Sequence, residues 1–282
     1  MSPDLEGWRA WIGRSEESDD IIDPLRARAM QAALDDPAPP LDPGDALPPL
    51  WHWLYFWTVA PEAALGPDGH AARGGFLPPI DLPRRMWAGS RVSFPRPLPI
   101  GARATRRSEI VEVNLKEGRS GALAFVTVRH QVATDEGVCI EEEQDIVYRA
   151  ATAPGAEPHP GEPAPASSAW HREMPPDPVL LFRYSALTFN GHRIHYDLKF
   201  TTEVEGYPGL VVHGPLLATL MADLARRERP KARVARFEFR AQRPIFDTAP
   251  FVVAGAPEAG GAEVWITDPD GCYASRGRIE LD

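Results

Sequence analysis

The stretch His213-Gly214-Pro215-Leu216-Leu217-Ala218-Thr219-Leu220-Met221-Ala222-Asp223-Leu224 sets the frame for the rest of the chain. Leu216, Leu217, Leu220, Met221 and Leu224 recur at spacings of three and four, which predicts a helix over 214–228. Pro215 suits its first turn, where a missing N–H costs nothing. Strand-like runs follow at 233–241, 250–255, 262–267 and 272–281. The first half has the same order. A helix over 24–34 begins at Pro24 and is followed, after a proline-rich stretch, by the aromatic run Trp51–Trp57. The strand signals Ile110–Val113, Ala122–Val132 and Val138–Tyr148 come next.

Local text repeats in order. Arg96–Ile100 resembles Arg243–Phe246, Gly121–Thr127 resembles Gly261–Thr267, and Asp135–Cys139 resembles Asp268–Cys272. Pro97 to Gly137 spans 40 residues and Pro244 to Gly271 spans 27, so the second half should have shorter strands or tighter turns. The reading is a duplicated α+β unit, a long helix wrapped by antiparallel sheet. The expected organisation is a first unit at 1–150, a linker at 151–178 with eight prolines, and a second unit at 179–282 opening with a short strand, Leu180–Tyr184.

Composition narrows the classes. The chain has 282 residues, 43% of them hydrophobic, enough for packed cores. Acidic residues outnumber basic ones 40 to 30, a net charge of −10, which argues against a general nucleic-acid or anionic-membrane binder. No run approaches 18 apolar residues, and MSPDLEGWRAW has no signal-peptide pattern, so a cytoplasmic address is expected. Cys139 and Cys272 read as reduced residues. There is no glycine-rich dinucleotide or phosphate-loop fingerprint, and no cofactor is expected.

The halves differ where chemistry would sit. The second carries Phe189-Asn190-Gly191-His192-Arg193-Ile194-His195-Tyr196-Asp197 and then His213-Gly214, with no counterpart in the first. These residues resemble the hydratase motif of the MaoC-like, type 2 hydroxyacyl-thioester dehydratase family. Pro48–Phe56, Arg73–Pro79 and Arg84–Gly89 extend the resemblance to the double-hotdog mesaconyl-C4-CoA and itaconyl-CoA hydratase group. The resemblance implies an α+β double hotdog that adds water reversibly to an α,β-unsaturated CoA thioester. It implies mesaconyl-C4-CoA as first substrate and itaconyl-CoA as second, both giving citramalyl-CoA.

Such chemistry needs a base for water, a proton for the α-carbon and donors for an enolate-like oxygen. His195 suits the proton work. Gly214 N–H, at a helix N-terminus, suits the oxygen. Asn190 stands at the position of the family's catalytic Asp; an amide positions water but takes no proton at neutral pH. His192, Arg193 and Asp197 are supporting candidates, Asp197 either orienting the imidazole or acting as a structural acceptor. Arg236, Arg240 and Arg243 are candidates for the phosphates of CoA. Arg84, Arg85 and Arg193 are candidates for a distal carboxylate. A metal at His192, His195, Asp197 and His213 is set aside, because ligand counts alone are weak evidence and the resembling family uses none.

The Trp51–Trp57 run fits either packing or a pantetheine tunnel. A thioesterase is the second enzyme class, and a non-catalytic acyl-CoA-binding subunit is the alternative left by Asn190. The expected partner is a small acyl-CoA, with self-association into a homodimer left open.

Overall fold

The computed structural model describes residues 5–71, 74–118, 121–150, 161–175 and 177–282; Arg73 and the 151–160 part of the predicted linker lie outside them. The first half contains helix α1 (Leu5–Arg9), strand β1 (Ser15–Ile21), helix α2 (Pro24–Ala33) and a short 3-10 turn, Trp51–Leu54. Strands β2 (Arg84–Ser93), β3 (Arg103–Gly118), β4 (Gly121–Thr134) and β5 (Gly137–Arg149) follow. The second half contains β6 (Trp170–Met174), α3 (Pro178–Leu187), α4 (Gly214–Glu228), β7 (Val234–Ala241), β8 (Phe251–Glu258), β9 (Gly261–Thr267) and β10 (Tyr273–Leu281).

The strands form one antiparallel sheet in the order β1-β3-β4-β5-β2-β7-β10-β9-β8-β6. That order is symmetric about the β2–β7 seam: β2 matches β7, and β3-β4-β5 matches β8-β9-β10. The repeated text falls where this correspondence requires, Gly121–Thr127 on β4 and Gly261–Thr267 on β9. The expected shortening is real, since β3 and β4 have 16 and 14 residues against 8 and 7 in β8 and β9. The fold is an α+β double hotdog.

Helix α4 occupies 214–228 as its periodicity predicts, with Leu216, Leu217, Leu220, Met221 and Leu224 all buried. Its counterpart in the first half is reduced to the Trp51–Leu54 turn. This inserts Trp51 and Leu54 into the core, while Trp53 Nε1 and His52 Nε2 both reach the buried Glu142 carboxylate, at 2.9 and 3.0 Å. The packing role expected of the aromatic run is present, and so is a cavity role for Trp53, Tyr55, Phe56 and Trp57.

Two expectations change, and one strand is new. Residues 178–187 form helix α3, not the strand predicted at 180–184. Asp177 caps it by accepting from Val179 N at 2.8 Å, with Pro178 in the first turn. A short apolar run such as Val-Leu-Leu-Phe does not separate helix from buried strand, and the Asp-Pro start decides it here. Asp23-Pro24 opens α2 in the same way, Asp23 accepting from Arg26 N at 3.0 Å. Second, Trp170–Met174 is no linker but an edge strand paired with β8, so the second hotdog starts before residue 178. Third, β1 was not anticipated: Ser-Glu-Glu-Ser-Asp-Asp lacks hydrophobic alternation and forms an edge strand through pairing with β3, where Arg107 and Thr105 face Glu17 and Asp19.

The seam is tight. A Cβ on Gly89 of β2 would lie 2.3 Å from the Phe239 carbonyl oxygen of β7. Gly89→Ala is therefore expected to cost about 1–3 kcal/mol by overpacking. Gly75→Ala, whose Cβ meets nothing within 4 Å, should leave the melting temperature nearly unchanged. Denaturant titration of the two variants measures the difference.

Candidate active site

The peptide after α3 folds back on itself. Asn190 N donates to Ser185 O at 2.8 Å, and Asn190 Oδ1 accepts from His192 N at 3.0 Å, an Asx-type turn that leads into the 3-10 turn Arg193–His195. His195 is buried, and its Nδ1 donates to the Val211 carbonyl at 2.7 Å. That bond fixes the tautomer, leaving Nε2 as the ring's lone-pair nitrogen. His213 stacks on the same ring, with centroids 3.7 Å apart and planes 18° apart, and Ser185 Oγ holds its Nε2 at 2.8 Å. His213 is also the N-cap residue of α4. Gly214 then begins the helix with an N–H that has no acceptor within it, and nothing lies within 4 Å of where a Cβ would stand.

These groups converge on a cavity of about 1050 Å³ lined by Asn190, His192, His195 and Gly214. Burial pushes His195 down from 6.5 to about 4, against the pull of the Val211 carbonyl. Burial likewise lowers His213, and His195 and His192 add to the effect. His192 is lowered by burial and then by the neighbouring His70. The rings facing the cavity from this motif are neutral bases at physiological pH.

The first hotdog supplies the opposite wall. The turn 66–70 lies against the motif so closely that a Cβ on Gly69, which has φ +85°, would come within 1.9 Å of the Gly191 oxygen. Asp68 O accepts from Arg193 N at 2.9 Å, and Arg193 Nη1 donates to Pro67 O at 3.0 Å. The His70 and His192 ring centroids are 4.0 Å apart, and those of His192 and His195 5.4 Å. His70 Nδ1 sits 2.9 Å from Asp68 Oδ2, and that hydrogen bond holds the Asp68 carboxyl well below the usual carboxylate range. Trp57 stacks on Phe189, its Nε1 donating to Leu187 O at 3.2 Å.

Several candidates lie elsewhere. Asp197 does not orient His195; Val211 does. Asp197 instead accepts from Phe200 N at 3.0 Å and from Arg193 Nη2 at 2.7 Å, and these contacts hold its carboxyl below the ordinary range. Arg193 is a clamp between this carboxylate and the 66–70 turn and does not line the cavity. Arg236 and Arg240 are exposed on β7; Arg240 borders a separate groove with Glu238, Glu258 and Glu263. Strand alternation carries both away from the cleft. Of the three arginines, only Arg243 lines the cavity, with Nε 3.3 Å from Asp268. His70 escaped the sequence reading; the only signal is an Asp-Gly-His triplet inside a glycine-rich turn.

The hydroxyacyl-thioester dehydratase type 2 family matches residues 50–247, and the chain belongs to it. It is accordingly an enzyme, a hydro-lyase. Among its relatives, the mesaconyl-C(4)-CoA hydratase of Chloroflexus aurantiacus is 50% identical over 274 residues, covering 97% of this chain and 98% of that protein. HtdX from Mycobacterium tuberculosis superposes with a TM-score of 0.67 at 18% identity, covering 94% of this chain and 98% of its own. A second Mycobacterium tuberculosis protein, described as having a double hotdog fold, superposes at 0.60 and 14% identity, covering 96% of each chain. Among the described residues, no helix is long and apolar enough to cross a membrane.

The buried imidazoles tie stability to pH. Their folded pKa values lie below the ordinary 6.5, so the unfolded chain binds more protons as pH falls from 6.5 toward 4. Stability is therefore full above about pH 7 and lost on acidification, with each such ring withdrawing about 1.4 kcal/mol per pH unit in that window. Thermal melts at pH 7.5 and 5.5 should show a clear fall in melting temperature at the lower pH.

Proposed function

We propose that the enzyme adds water reversibly across the double bond of a branched C5 dicarboxylic CoA thioester, mesaconyl-C4-CoA first and itaconyl-CoA second, giving citramalyl-CoA. The observation that carries this reading is the pairing, on one cavity, of His195 Nε2 with the uncommitted N–H of Gly214 at the start of α4. His195 takes the proton of water. Gly214 N–H receives the thioester oxygen as negative charge develops there, assisted by the helix dipole. Asn190, whose Oδ1 already accepts from His192 N, offers its amide hydrogens to the water or the carbonyl.

The named substrate rests on the Chloroflexus relative and on one further feature of the cleft. Mesaconyl-C4-CoA carries its free carboxylate on the carbon that receives water, so a cation should stand beside the motif rather than at a remote end. Arg193 is committed to Asp197 and Pro67, and Arg84 to Tyr207 OH and Glu205 O, each at 3.1 Å. Arg85 lines the cavity, and its charge is felt at His192. It is the arginine we assign to the carboxylate. Arg243, at the same cavity, is the one assigned to the phosphates of CoA.

Following both the absorbance of the conjugated thioester and free thiol separates the chemistries. Loss of conjugation without thiol is expected; thiol release would mean a thioesterase, and neither change a binding subunit. His195→Ala should lower kcat/KM by about 10²–10⁴. Arg85→Gln should raise KM for mesaconyl-C4-CoA by about tenfold or more, the worth of a charged hydrogen bond. Its KM for crotonyl-CoA, which has no carboxylate, should stay as in wild type. Arg243→Gln should raise KM for both esters, and Arg236→Gln for neither.

A further inference from the structure

Hydration moves two protons, one off water and one onto the α-carbon, and Asn190 is an amide that can neither take nor give one at neutral pH. Within the motif that leaves His195 and His192, two rings that burial keeps neutral, so neither holds a proton to give. His213 is engaged with Ser185 and buried behind the His195 ring. Asp197 faces away. The cavity wall built by the first hotdog, however, contains a second imidazole with its own carboxylate. His70, about a quarter exposed at 26%, is bonded to Asp68 and in ring contact with His192, which in turn contacts His195. His70, His192, His195 and Asn190 all line the same space.

We propose that His70, held by Asp68, is the second proton-transfer group of the reaction, doing the proton work that Asn190 cannot. The proposal rests on the hydratase reading above and adds a catalytic residue from the half that lacks the motif. As the water oxygen bonds to the β-carbon, His195 Nε2 takes a proton from it. The π pair of the double bond moves toward the thioester oxygen at Gly214 N–H. The enolate then takes a proton at its α-carbon from the His70 imidazolium. The product is the neutral hydroxyacyl thioester, with His195 protonated and His70 neutral. The proton passes back from the first ring to the second, across His192 or the water beside it, and the pair is restored. In dehydration the same transfers run in reverse.

The arrangement gives each ring a suitable setting. An ionised carboxylate at 2.9 Å stabilises an imidazolium on His70, as an aspartate does for the histidine of a hydrolase triad. Burial without a carboxylate keeps His195 a neutral base. Two titratable groups in contrasting environments are the usual basis of paired acid and base roles. Among the described residues, the charged and titratable groups near His70 include Asp68 on its own turn, His192 and His195 on the motif, and Arg85 of β2, whose charge acts on His192. The turn is fixed by the Gly69–Gly191 backbone approach and the Arg193 clamp, so the second ring is delivered only when the two halves are joined.

The test is steady-state hydration of mesaconyl-C4-CoA and crotonyl-CoA by the full-length protein, its His70→Gln, His70→Ala and Asp68→Asn variants, across pH. His70→Gln is expected to lose about 10²–10⁴ in kcat, with KM changed by no more than about threefold. Any fall of wild-type kcat at high pH should vanish in His70→Gln. Asp68→Asn should show a smaller loss in the same direction. Imidazole added to His70→Ala should restore part of the turnover, which separates lost chemistry from a damaged turn. A His70→Gln kcat within about threefold of wild type, or an unchanged alkaline limb, would overturn the proposal. So would wild-type turnover that is abolished by EDTA and recovered with zinc, because the ring pair would then serve an ion. A wild type that hydrates neither ester would instead overturn the hydratase reading itself.

Discussion

At the middle of the ten-stranded sheet, Gly89 of β2 lies against the Phe239 carbonyl of β7 with no room for a side chain, and the two hotdogs become one continuous ladder there. The pairing fixes where each half stands relative to the other to within a hydrogen-bond register. Everything at the cleft follows from that constraint. The motif loop 189–197 belongs to the second half and the 66–70 turn to the first; they meet backbone to backbone at Gly69 and Gly191. A register slip of one residue would turn every side chain of β2 to the opposite face, and Arg85 and Trp87 would leave the cavity wall.

Duplication freed one half to diverge. In the second hotdog the long helix α4 survives, and its N-terminus offers both a dipole and an open N–H. In the first, the corresponding helix has shrunk to the turn Trp51–Leu54, anchored by Glu142, which accepts from Trp53 and Ser90 and pairs with His52. Burial alone would raise the Glu142 carboxyl, but His52, with His130 and the Trp53 indole, holds it at about 2. The shortened helix leaves space beneath the sheet, and the cavity continues into it past Trp53 and Phe56 to Arg106 and Gln144. One half thus lines much of the cavity while the other presents the helix terminus and the motif histidines.

Helix α4 could be read residue by residue because amphipathic spacing is a local property; the hairpins β3-β4-β5 and β8-β9-β10 could be located from their repeated turns, though β3 extends well beyond the Ile110–Val113 signal. The elements that escaped are those whose stability is not local. Strand β1 is an acidic segment that becomes a strand only against the arginines of β3. Strand β6 lies within text rich in proline and exists as the partner of β8. Helix α3 looked like a strand because four consecutive apolar residues carry no period, although Asp177-Pro178 marked its start.

The site divides in the same way. His195, Asn190, His192 and Gly214 are close in sequence or joined by one short excursion, so the motif and the helix start already placed them near one another, and the structure puts all four on one cavity. The sequence by itself determined the α+β duplication, the helix terminus and the motif that faces it. Only the tertiary structure decided that Val211 rather than Asp197 orients His195, that Arg236 and Arg240 point away while Arg85 and Arg243 face the cavity, and that His70 stands beside His192. The reason is physical: strand alternation and seam register determine which side chains share a cavity, and residues 70 and 192 are brought together by a sheet whose pairing no local pattern encodes.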